Sequence, residues 1–187
     1  VHDLKLQEDE FMQGLFKTLD LNTQSVDAIE KLLTLGRNLD GNWKDFASME
    51  EWQDISTTVL APRVQYVFDV LRPLAKQNET LFTFLTHYAE TADSVFEDIS
   101  NYYSNRAHAR AAKVHEALDA LMPAELHPLS LSQKAVHLVR SASGVTTVLV
   151  GMRSDEYVED VVYGLQAKPL ENAEQIWSRL SGLKTGA

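Results

Sequence analysis

The chain has 187 residues, 44% of them apolar and 24% charged, enough to bury a real core and close to the globular average; neither a disordered chain nor a membrane protein is expected. Its net charge of −10 sets it against phosphate backbones and anionic lipid surfaces, and the absence of cysteine removes disulfides, thiolate metal sites and thiol nucleophiles. No apolar run approaches the roughly 18 residues needed to span a bilayer, and Val1-His2-Asp3-Leu4-Lys5-Leu6 lacks the basic and apolar regions of a signal peptide, so a cytoplasmic address is expected.

The chain opens on valine rather than methionine, as a processed protein or an excised piece would. Helical periodicity dominates from Glu8 to Met122 and predicts a mainly α fold. A first helix, Asp9 to Leu19, places Phe11, Leu15, Phe16 and Leu19 on one face. A second follows Asn22 or Thr23 as N-cap, carries Val26, Ile29, Leu33 and Leu35, and stops near Gly36. Asp40-Gly41-Asn42 reads as a turn, and the bulky Trp43, Phe46, Met49 and Trp52 beyond it are expected to be buried. Pro62 suits a first helical turn ahead of Val64, Val67, Phe68 and Leu71, unless Val59 and Leu60 belong to a helix that kinks there; Pro73 ends or kinks the segment. Asn78 or Thr80 starts the longest helix, with the stripe Leu81, Leu85, Tyr88, Ala92, Val95, Ile99 and Tyr103. Another helix, from about Asn105 to Met122, offers Ala107, Ala111, Val114, Leu118 and Leu121 and ends before Pro123. Amphipathic helices joined by short turns predict an antiparallel bundle over residues 1–127.

The pattern changes at His127-Pro128, the predicted boundary to a second region, 128–187. Ser130-Leu131-Ser132-Gln133 has the form of a capping box and launches a short helix through Val139. The β-branched run Val145-Thr146-Thr147-Val148-Leu149-Val150, between Gly144 and Gly151, then predicts a strand buried on both faces. It needs partners: Val1 to Leu6, the other strand candidate, or a sheet lying mostly outside the chain. Gly151-Met152-Arg153-Ser154 turns into a helix from Asp155. Strand, glycine turn and helix N-terminus can hold a phosphate on free N–H groups, with Arg153 adding charge, but Asp155 and Glu156 already complement the dipole, as at an ordinary capped junction.

Leu129-Ser130-Leu131-Ser132-Gln133-Lys134-Ala135, Ser143 to Ser154 and Tyr157-Val158-Glu159-Asp160 together resemble the end of an aldo/keto reductase barrel, over about Leu129 to Leu165. The resemblance implies helix seven, strand eight and the opening of helix eight of a (β/α)₈ barrel. It also implies an NADP cofactor whose adenosine phosphate end is held by Gly151, Met152, Arg153, Ser154 and Tyr157. Tyr157 stands where the family often has a basic or amide side chain, and Val161 where it usually has asparagine. The family's Asp, Tyr, Lys and His catalytic group comes from the first half of its barrel, and nothing before Leu129 resembles that half. The implied function is the C-terminal region of a reductase-like, NAD(P)-linked oxidoreductase. It would work with an upstream barrel of the same protein or with a protein partner, residues 1–127 being a helical insertion. The alternative is a non-catalytic all-α protein-interaction module.

Other constellations read as solvated helix faces. His87 with Glu90, and His108 and His115 beside Glu116, lack the three or four converging groups of a metal site. Glu90, Asp93, Glu97 and Asp98 carry no signal of a raised carboxyl pKa, and Arg106, Arg110 and Lys113 form a small basic cluster rather than an anion site.

Overall fold

The computed structural model describes residues 1–151, 155–165 and 168–182. As the periodicity requires, the fold is mainly helical. The chain divides into two compact units, Val1–Ala107 and His108–Ala187.

In the first unit, α1 spans His2–Gln13, a 3₁₀ turn Leu15–Thr18, α2 Thr23–Leu32, α3 Leu35–Leu39, α4 Met49–Ile55 and α5 Ala61–Ala75; α6, Glu79–Asp119, begins here. The expectation that Val1 to Leu6 is a candidate strand is corrected. Leu4, Glu8 and Phe11 recur at helical spacing and bury one face of α1, and that burial outweighs the weak alternation. Asn22 caps α2 through its side chain, which accepts from the Ser25 N–H at 2.8 Å.

Gly36 does not stop a helix as expected; it lies inside α3, where a Cβ would come within 2.8 Å of the Leu4 carbonyl carbon. Its role is to let α1 and α3 touch backbone to backbone. A π-helical turn, Ser56–Leu60, joins α4 to α5 without a break in the helix. Pro62 has no N–H to offer the preceding turn, and the Thr57 and Thr58 hydroxyls donate back to the Gln53 and Asp54 carbonyls, at 2.7 and 2.6 Å. α5 runs past Pro73 to Ala75.

The expected stripe from Leu81 to Tyr103 is buried along α6. The Asn78 side chain accepts from the Leu81 N–H at 3.0 Å. Trp52 donates from Nε1 to Ser100 Oγ at 2.8 Å, and Tyr103 donates to the Trp43 carbonyl at 3.0 Å, so the aromatic residues after the Gly41 turn are pinned against α6. The break expected near Asn105 does not occur. Ala107, Ala109, Ala111 and Ala112 are strong helix formers, and one helix continues to Asp119.

The second unit contains the end of α6, a 3₁₀ turn Ala124–Leu126, α7 Leu131–Arg140, α8 Asp155–Leu165 and α9 Ala173–Ser181, around a core that includes Leu118, Met122, Leu138 and Ile176. The capping box is present: Ser130 Oγ accepts from the Gln133 N–H at 3.1 Å and the Gln133 side chain accepts from the Ser130 N–H at 3.0 Å. No strand or sheet forms among the described residues, so the strand expected at Val145–Val150 is corrected to a segment without regular secondary structure, and burial on both faces is corrected as well, since Leu149 is 94% exposed. The reason is the lack of a partner: residues 1–6 are helical.

Candidate functional site

The sequence places the candidate site at the junction of α7, the 145–150 segment and α8. α7 and α8 pack on each other. Ser130 Oγ, already the cap of α7, also donates to Asp160 of α8, with Oδ1 at 3.0 Å and Oδ2 at 3.2 Å. One hydroxyl therefore closes a helix end and ties it to the next helix. Between them lies a slot of about 320 Å³ lined by Val136 and Arg140 of α7, Val161 of α8, and the segment from Val145 to Val148 together with Val150.

Gly151 is exposed, and a Cβ there would meet nothing within 4 Å. Tyr157 is exposed as well, whereas Val161 is buried. Met152, Arg153 and Ser154 lie outside the described residues.

A second constellation emerges that the sequence reading missed. Lys134 of α7 is fully buried, and its ammonium donates to Asp119 Oδ1 at 2.5 Å, to the His127 carbonyl at 2.8 Å and to His115 Nε2. The Lys134 hydrogen bond holds the Asp119 carboxyl below the usual carboxylate range. The available signal was a lysine interrupting the apolar stripe of Leu131 and Leu138. Its ammonium occupies the space between histidine and carboxylate that a cation would need. Among the described residues no group of three or more His, Asp or Glu is placed to hold a metal ion. His87 and Glu90 are 3.9 Å apart and exposed.

His137 is fully buried, and neither ring nitrogen has a hydrogen-bond partner among the described residues. Burial, with a contribution from Arg140, pushes its pKa below 6.5. The folded state thus favours the neutral ring, and stability present above pH 6.5 is lost as pH falls below it. His137→Leu removes a buried polar group with nothing to bond. It is expected to raise stability by about 1 kcal/mol at pH 7 and by more in acid, read from urea unfolding at both pH values; a destabilised variant would show that the ring is satisfied.

No family model, curated protein or solved structure matches the chain. No described helix is long and apolar enough to cross a membrane.

Proposed function

We propose that residues 129–165 are the closing helix, strand and helix of an aldo/keto reductase-like barrel. In this reading the chain is the C-terminal region of an NADP-linked oxidoreductase, with residues 1–127 as a helical insertion. The observation that carries it is confined to the end of the 145–150 segment: Val148 and Val150 are half-buried and line the slot between α7 and α8, Leu149 between them is 94% exposed, and Val145, Thr146 and Thr147 before them are all exposed. Period-two alternation is a strand's signature, and a barrel strand has helices over its outer face and packed apolar side chains on its inner face. α7 and α8 flank Val148 and Val150, while Thr146 is exposed. Leu149, bare in this chain, would point into the barrel interior.

When bound, the nicotinamide supplies the hydride chemistry. This region would contribute the N–H groups from Gly151 to Ser154 and the Arg153 guanidinium to the adenosine phosphate end, with no catalytic group of its own.

The test is NADP titration, followed by intrinsic fluorescence, of this chain and of a longer polypeptide carrying upstream barrel units. Saturable binding is expected at least in the longer polypeptide, and Arg153→Ala should weaken it about tenfold, the loss of one charge-assisted hydrogen bond. No response in either polypeptide rejects the cofactor assignment and leaves a helical interaction module as the reading.

A further inference from the structure

The corner where α5 turns into α6 carries a groove of about 860 Å³, within the range of small-molecule sites. Its floor is apolar: Leu85 is buried and Phe68 half-buried. Phe82 forms a wall and is 61% exposed, the most exposed aromatic side chain described in residues 1–107. Arg72 of α5 and Lys76, the C-cap residue just past its end, stand at the rim, and both are exposed. Arg72 is only loosely held, its Nη1 lying 4.0 Å from an Asp69 oxygen.

Two features of this groove oppose the character of the whole molecule. The chain carries a net charge of −10, yet the groove is lined by two cations and one carboxylate, Glu79, with Asp69 beside Arg72 outside the lining. Phe82, near the start of a long helix, is left in water and is more exposed than Tyr66 of α5, while Leu71, Leu81 and Tyr88 of the same two helices are buried. A ligand that answers both has an apolar tail to cover Phe82 and Phe68 and an anionic head to meet Arg72 and Lys76. The cations select the head and the aromatic floor holds the tail.

We infer that the α5–α6 groove binds a monomeric anionic amphiphile, a single acyl or alkyl chain ending in a carboxylate or phosphate. The site lies wholly within residues 1–107 and is independent of the reductase reading. Calorimetric titration of the full chain with dodecanoate and with dodecyl phosphate, both below their micellar concentrations, tests it; preference between the two identifies the head group. Dodecyltrimethylammonium serves as a tail-matched cation, and acetate and inorganic phosphate as heads without tails.

Saturable one-to-one binding of at least one anionic probe is expected, with at least tenfold weaker binding of the cationic probe and none of the isolated heads. The double variant R72Q/K76Q should lose at least tenfold in affinity for the anionic probe, and Phe82→Ser a similar factor for either head. These three side chains are exposed, so the variants are expected to keep the wild-type helical circular dichroism. Equal affinity for the cationic probe, unchanged affinity in R72Q/K76Q, or no binding below the micellar concentration would each overturn the site. Binding only to phosphatidylglycerol vesicles would overturn it in favour of a membrane-facing surface.

Discussion

Gly36→Ala is expected to destabilise residues 1–107 by about 3 kcal/mol, at the upper end of the cost of overpacking, with a fall in melting temperature on the order of 15 °C. The added methyl would collide with the backbone of α1, at Leu4 C and at Lys5 N and Cα, rather than with the end of a side chain that could swing away. Relief requires α1 and α3 to separate, and separation would also draw the Glu8 carboxylate away from the Gly36 N–H that it accepts from at 2.7 Å. Gly151→Ala is the internal control, because a Cβ there meets nothing within 4 Å; it should change stability by no more than about 0.5 kcal/mol. Thermal melts of the two variants decide the matter. A Gly36→Ala melt within about 2 °C of wild type would mean that the contact between α1 and α3 yields cheaply.

The same glycine shows what could and could not be read from sequence. Helices declare themselves through repeating apolar positions and short-range caps, so Asn22, Asn78 and Ser130 are visible as helix starts, and the α6 stripe is visible as core. A glycine required by a helix arriving from thirty residues earlier leaves no local trace, and Gly36 reads instead as a stop. The β-branched run after Gly144 reads as a strand and forms none among the described residues, because pairing is a property of partners and not of the segment. At the candidate site the capping box was legible, its second bond to Asp160 was not, and the buried Lys134 cluster depends on side chains from α6 and α7 and a backbone carbonyl from the turn between them. Such convergence needs the fold first.

Replacing Glu8 should have the other large effect, and its pH dependence distinguishes two physical accounts of the residue. Glu8 is fully buried and accepts from the Gly36 N–H at 2.7 Å, the Arg37 N–H at 3.1 Å and the Tyr88 hydroxyl at 2.9 Å, so one carboxylate joins α1, α3 and α6. Burial, reinforced by the nearby Glu8 charge, holds the Tyr88 phenol in its protonated, donating form. Glu8→Ala leaves three donors without their acceptor, at about 4 kcal/mol in total given the usual 1–3 for each buried group left unmade. Glu8→Gln keeps the shape and one acceptor oxygen, and should cost about half as much.

Burial raises the Glu8 pKa above its ordinary 4.5, and the three hydrogen bonds to the carboxylate offset this only in part. The folded state therefore retains a proton that the unfolded chain releases just above pH 4.5. The stability contributed by Glu8 is full below that pH and declines as pH rises through the folded value. Glutamine does not titrate, so the stability gap between wild type and Glu8→Gln should narrow as pH rises from about 4.5 toward 7, measured by urea unfolding of both proteins across that range. The difference cancels carboxyls common to both, including Asp40 and Asp119, whose pKa values are lowered by their lysine partners. A gap that widens with pH would reverse the ranking of forces at this position: the three donors would then outweigh desolvation, and Glu8 would be a carboxylate held ionised inside the core.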